Sequence, residues 1–251
     1  MRCSTFRPVI LTVFAVLAAV PAVVAQAPRP ELTRNIPLDV LCAPKAATAL
    51  PASTVHVVAG LERKKALFAP GDLVVIDAGT AQGLQPGQHF FARRVIRDRF
   101  AVKTTEAAAH SIHTAGWLTI VEATTSQSTA RVSEACDGVI EGDYLEPFGP
   151  PRVAEPRSGT PDFDHPGQII LGDDRRQLGA VGSMMVFDRG SDHGVHPGQR
   201  LTLYRRAIGA EGPIVQIGDA IVVSTQSESS IIRIEVSREA IQVGDLVAVH
   251  R

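Results

Sequence analysis

The segment from Gly71 to Gln88 recurs from Gly182 to Gln199, and a chain that repeats itself in register is built from two copies of one supersecondary unit. The first copy reads Gly71-Asp72-Leu73-Val74-Val75-Ile76-Asp77-Ala78-Gly79 and continues from Thr80 to Gln88; the second carries Met184-Met185-Val186-Phe187-Asp188-Arg189-Gly190 and continues from Ser191 to Gln199. Gly71 and Gly182, Gly79 and Gly190, Gly83 and Gly194, and Gly87 and Gly198 all stand 111 residues apart. Further on, Gly116, Arg131 and Gly142-Asp143 match Gly218, Arg233 and Gly244-Asp245 at a spacing of 102. The first copy therefore holds nine residues that the second lacks, between Arg94 and Gly116.

Most of the shared residues are those a turn requires. In Pro86-Gly87 and Pro197-Gly198 the proline fixes φ at the first central position and the glycine accepts positive φ at the second, which is the signature of a type II turn. Apolar, largely β-branched or bulky runs precede each turn, and Phe90-Phe91 or Leu201-Thr202-Leu203-Tyr204 follow it, so strands flank a tight connection. Two more strands follow in each copy, then a Gly-Asp turn and a closing strand. Five or six short strands in roughly 80 residues predict a small closed β-barrel, which also removes exposed sheet edges. The expectation is an all-β chain of two tandem barrels, over residues 53–148 and 167–251. A Pro-rich linker over 149–166 joins them, and an extended leader over 26–52 precedes them.

Ahead of the leader, Arg2 and Arg7 precede an apolar stretch from Val9 to Val20, and Val23-Val24-Ala25 supplies small residues for cleavage. These are the parts of a Sec signal peptide over residues 1–25, cut near Ala25. The stretch is broken by Pro21 and falls short of the roughly 20 apolar residues of a spanning helix, so no membrane span is expected after cleavage. The mature protein is then periplasmic or secreted. Its even cysteine count, Cys42 and Cys136, predicts a disulfide in that oxidising compartment. Removing residues 1–25 leaves 23 basic residues against 26 acidic ones, a net charge of −3, which excludes the basic footprint of a nucleic-acid binder.

No convincing catalytic or metal constellation stands out, and no cofactor is expected. An apolar strand ending in Asp-x-Gly-Thr/Ser occurs twice, at Asp77 and Asp188, and resembles aspartic peptidases, which pair two such residues around one water. Those enzymes place Thr or Ser after the aspartate, where this chain has Ala78 and Arg189. The competing reading is that Asp77, Gly79, Gly83, Pro86 and Gly87, with Asp188, Gly190, Gly194, Pro197 and Gly198, form turns and nothing more. His193 and His196 beside Asp188 and Asp192 suggest a metal site, yet the first copy folds the same turn with Gln82 and Gln85. His110 and His113 lack further ligands. Arg131 and Arg233 hold equal strand positions, facing outward to bind an anionic group or to pair with neighbouring acids. Trp117 and Phe100, near the nine extra residues, are the aromatic candidates for an exposed ligand-binding surface.

The pattern of apolar strand, Asp-x-Gly-x-x-x-Gly-Leu/Val-x-Pro-Gly-Gln, second strand and later Gly-Asp resembles the small SH3-like barrel at the carboxyl end of flagellar assembly T proteins. It is also similar to modules of uncharacterised bacterial envelope proteins, some of which carry lysin motifs. The resemblance spans both copies, about two thirds of the chain. It implies tandem SH3-like barrels in a non-catalytic cell-envelope binding or assembly protein, with an envelope protein or a cell-wall polymer as partner. The alternatives are a peptidoglycan- or polysaccharide-binding protein and an aspartic-type peptidase.

Overall fold

The structure, a computed structural model, describes residues 35–47, 50–62, 65–96, 110–149, 154–172, 176–208 and 212–251. The expected signal peptide, Phe100 and most of the extra segment of the first copy lie outside the described residues.

A five-residue helix α1 (Leu38–Cys42) and a short strand β1 (Lys45–Ala47) open the described chain. The first copy then forms β2 (Val57–Gly60), β3 (Leu73–Ile76), β4 (His89–Ile96), β5 (His110–Ala123), β6 (Ser128–Ala135) and β7 (Tyr144–Pro147). These make one curled antiparallel sheet in the order β2-β3-β6-β5-β4-β7, with β1 added beside β5. The two ends of the curl meet at the His56–Tyr144 bridge and at backbone bonds from Val57 N to Asp143 O and from Gly142 N to Val57 O. The second copy forms β8 (Pro161–Leu171), β9 (Leu178–Gly179), β10 (Met184–Phe187), β11 (Arg200–Arg206), β12 (Ile214–Thr225), β13 (Ser230–Ser237), β14 (Ile241–Gln242) and β15 (Leu246–His250). Its closed barrel runs β10-β13-β12-β11-β15-β8, which is the cyclic order of the first copy, and β9 pairs with β14 alongside.

Register confirms that the two sheets are the same object. Phe91 faces Trp117 across β4 and β5, and Thr202 faces Asp219 across β11 and β12, as the spacings of 111 and 102 require. The hairpin pairing persists to Ile96–Ser111 in the first copy and to the Ala207 N–H donating to Pro213 O in the second. The nine extra residues therefore fall between Ile96 and Ser111 in sequence. The curled first sheet, a half-barrel, and the closed second barrel each bury their own apolar core. Val74, Ile76, Leu84, Leu118, Ile120, Val132 and Leu145 fill the first, and Met185, Phe187, Val195, Ala220, Val222, Ile234 and Val247 take the equivalent places in the second.

Turn chemistry explains the repeated residues. Gly87 and Gly198 lie at φ of 90° and 85°, with Gln88 N donating to Gln85 O and Gln199 N to His196 O, the geometry expected of the two Pro-Gly turns. The glutamine that ends each motif closes its turn from outside: Gln88 Oε1 accepts from Gln85 N at 2.9 Å and Gln199 Oε1 from His196 N at 2.7 Å.

The linker is shorter than the composition suggested. Arg157 N donates to Gly198 O, Thr160 and Arg251 exchange backbone bonds, and β8 starts at Pro161, so the segment from Arg157 on belongs to the second barrel. Proline is tolerated as the first residue of a strand, where its missing N–H costs no ladder bond. Among the described residues no helix is long and apolar enough to cross a membrane.

Candidate functional site

The repeated polar residues are spent on holding backbone. Asp77 Oδ1 accepts the His56 N–H and Asp188 Oδ1 the Gln168 N–H, both at 2.6 Å, so each carboxylate ties the first strand of its own barrel to the next. Gln82 Oε1 accepts from Gly79 N, and at the equivalent turn His193 Nδ1 accepts from Gly190 N. The histidine thus substitutes for a glutamine in a turn cap, and His196 is exposed on the turn beyond it. His113 Nε2 lies 2.9 Å from Asp137 Oδ2. Among the described residues no three His, Cys, Asp or Glu side chains gather as a metal ion requires.

A further repeated pair was not visible as a pair in the sequence. Arg94 forks onto buried Asp143, Nε at 2.7 Å and Nη2 at 2.9 Å, and Arg205 forks onto Asp245 at 2.6 and 2.8 Å. Each guanidinium also donates to a backbone carbonyl, that of Gly138 or Ala240. Each aspartate accepts a turn N–H, from Ile140 or Gln242. The clasp locks the Gly-Asp turn to β4 or β11. The hydrogen bond raises the pKa of Arg205, with Asp245 as its first cause. The signal was present: an arginine and an aspartate kept at matching positions in both copies.

Arg131 and Arg233 do sit at equal places, opposite Leu73 and Met184. Arg131 is exposed and donates to Gly71 O, while Arg233 pairs with Glu235 at 2.7 Å. Trp117 is not an exposed platform. It is fully buried on the outer face of the first sheet, with Phe91 edge-on at 6.5 Å and Phe148 at 5.9 Å. The reason is the leader: α1 lies across this face with Leu41 on Phe91 and Trp117, and it is fastened there by the Cys42–Cys136 disulfide, whose Cα atoms are 5.6 Å apart. The other side of α1 meets the second barrel, where Val40 and Ala43 join Met184 and Ile231. The leader is therefore a wedge buried between the two barrels.

Beside this wedge opens a cleft of about 690 Å³. Leu41, Phe91, Ile112 and Leu145 supply apolar wall from the leader and first barrel, and from the second Ile231 supplies apolar wall and Ser224 to Gln226 polar groups. Its charged residues form one linked group. Glu146 pairs with Lys45 Nζ through one carboxylate oxygen and stands 3.4 Å from Arg93 Nε through the other. Arg93 is almost wholly buried; it donates to Thr114 Oγ1, and its guanidinium carbon lies 4.1 Å over the Phe91 ring. Burial depresses the pKa of Arg93, and Glu146 opposes the shift. Burial and then the charge of Arg93 depress that of Lys45. Tyr144 is pushed up to about 12 by burial, so its hydroxyl stays a donor. Two cations and a phenol against one acid make the cleft donor-rich, suited to an anionic group backed by an apolar body.

None of these charged side chains has a counterpart in the second copy. Arg93, Tyr144 and Glu146 correspond to Tyr204, Leu246 and Ala248, and Lys45 belongs to the leader. No protein-family model matches this chain, and no curated protein shows significant similarity to it.

Proposed function

We propose that this chain is an exported, non-catalytic binding or assembly protein of the cell envelope, built from two SH3-like barrels clamped into one body by their leader. The observation that carries the reading is the division of labour among polar residues. Those shared by the copies bond backbone, which is architecture; Arg93 and Glu146, peculiar to the first copy, gather with Lys45 of the leader at the cleft between the barrels. The disulfide supports an oxidising compartment, and the two-to-one excess of cations supports an anionic group on the bound protein or cell-wall polymer.

Two binding assays on the mature protein test this: co-sedimentation with purified peptidoglycan, and capture of partners from solubilised envelope, each repeated with Lys45→Gln and Glu146→Gln. Binding in one assay should weaken several-fold with Lys45→Gln and strengthen with Glu146→Gln, because the first removes a cation and the second removes the competing anion. Failure in both assays, or binding indifferent to both substitutions, sinks the reading.

A further inference from the structure

The two copies differ most in what covers the opening residues of β5 and β12. Ser111 to Thr114 in the first copy correspond to Pro213 to Gln216 in the second. In the first barrel β1 lies antiparallel along this edge, with Lys45 opposite Ile112 and Ala47 opposite His110, and Thr114 Oγ1 donates to Ala43 O at 3.1 Å. Ile112 and His113 are consequently 3% and 8% exposed. Their counterparts Ile214 and Val215 are 39% and 40% exposed, and Val236 on the neighbouring β13 is exposed with them.

The backbone of this stretch is also half unpaired. Among the described residues, β12 pairs over Ile214 to Gln216 with β11 alone, and its pairing with β13 begins only at Gly218. The Ala207 N–H donates to Pro213 O. Peptide groups alternate in direction along a strand, so those of residues 213 and 215 point to β11 and those of Ile214 and Gln216 point to the open side. Pro213, which elsewhere would blunt an edge, lacks its N–H on the β11 side and leaves the open side unguarded.

We infer that this edge of the second barrel is a strand-addition site, taking an extended segment of a partner protein, apolar at alternate residues, in the place that β1 takes on the first barrel. The repeat itself shows what such an edge accepts: an extended stretch that bonds its backbone to residues 110 to 112 and buries the apolar residue there. The chain's own leader is not free to serve both edges, because Cys42 binds it to Cys136 of the first barrel. Main-chain bonds supply affinity to such a segment and the exposed Ile214, Val215 and Val236 supply side-chain selectivity.

The test uses the whole mature chain. In hydrogen exchange the amides of Ile214 and Gln216 should exchange at least tenfold faster than that of Ile112. Ten-residue peptides selected from a random library on the mature chain should alternate apolar residues, protect those two amides, and lose tenfold or more in affinity towards Ile214→Pro. That substitution removes a donor from the open side and no bond to β11; Val215→Lys, which leaves the backbone untouched, carries the same test should Ile214→Pro fail to fold. Three results would each overturn the inference: equal protection of the two edges in the monomer, concentration-dependent dimerisation that protects Ile214 and so makes a second copy the occupant, or selected peptides that bind the wild-type and substituted chains alike.

Discussion

Replacing Cys42 and Cys136 together by serine should loosen the leader before it loosens either barrel. The bond closes a loop between residues 94 apart in sequence, and loop-closure entropy for that length is worth about 4.5 kcal/mol, of which measured disulfides deliver roughly 2–4. Against a total stability of about 5–15 kcal/mol, the loss is about a fifth to two fifths for a protein in the middle of that range. The chain contains its own reporter, since Trp117 is the only tryptophan and lies buried beneath Leu41. Undocking of α1 should bare the indole and shift its emission to the red. In a guanidinium titration the emission midpoint of the serine variant should fall by roughly 1 M. Far-ultraviolet circular dichroism, which also samples the second barrel, should lag behind it. Wild-type protein under reductant should reproduce the variant. If the variant's emission spectrum and midpoint match those of the oxidised wild type, the leader is held by its apolar contacts alone, and the argument from loop closure is refuted.

Two other expectations follow from the described contacts. Asp143→Ala and Asp245→Ala each leave a guanidinium without its forked partner and a turn N–H without its acceptor, and each should cost about 3–5 kcal/mol in denaturant melts. His250 receives its depressed pKa first from burial, with its Nε2 2.9 Å from Thr202 Oγ1. A folded value below the unfolded one, near 6.5, means that its contribution is whole above that pH and is lost as pH falls through the folded value. His250→Gln should therefore show a smaller fall in melting temperature than the wild type between about pH 7 and pH 5.

The parts of this fold that were legible in the sequence are those governed by local chemistry. Positive φ at Gly87 and Gly198 is demanded by the turn and written in the residue itself, and repetition of the motif foretold that one strand order occurs twice, closed as a barrel in the second copy and curled as a half-barrel in the first. The disulfide followed from pairing Cys42 and Cys136, the two cysteines that remain once the expected signal peptide with Cys3 is set aside. What failed were readings that depend on which surface lies against which. Strand alternation places Trp117 on the outer face of its sheet, but only the leader's path decides whether that face meets water. The opening stretch of β8 reads as linker because Pro161 and Pro166 break its pattern. In the structure Asp162 accepts the Asp164 and His165 N–H groups and pairs with Arg251, which fixes it to the barrel. The cleft was illegible for the same reason: Lys45, Arg93 and Glu146 are far apart in sequence, and only the wedge brings the first to the other two.

The outer face that α1 covers offers the sharpest separation of binding from architecture. At the position of Arg93 the second barrel has Tyr204, fully buried, with Phe163 edge-on at 5.1 Å as its cover. A neutral aromatic thus suffices at this place in the fold, whereas Arg93 costs the desolvation of a guanidinium, for which Thr114, Glu146 and the Phe91 ring compensate. Arg93→Tyr transplants the second copy's solution into the first. Thr114 keeps its bond to Ala43 O and Glu146 keeps Lys45, so no partner is left stranded. The variant should melt within about 1 kcal/mol of the wild type or above it, as buried ion pairs often do when replaced by apolar groups of similar size. Under the proposed function, binding in the peptidoglycan or envelope-capture assay should fall at least tenfold, because the cleft then holds one cation balanced by one acid. Stability bought at the cost of function is the usual mark of a residue retained for binding. A variant that unfolds readily while its folded fraction still binds would instead make Arg93 a structural strut between leader and barrel, and would move the search for the ligand to the edge of β12.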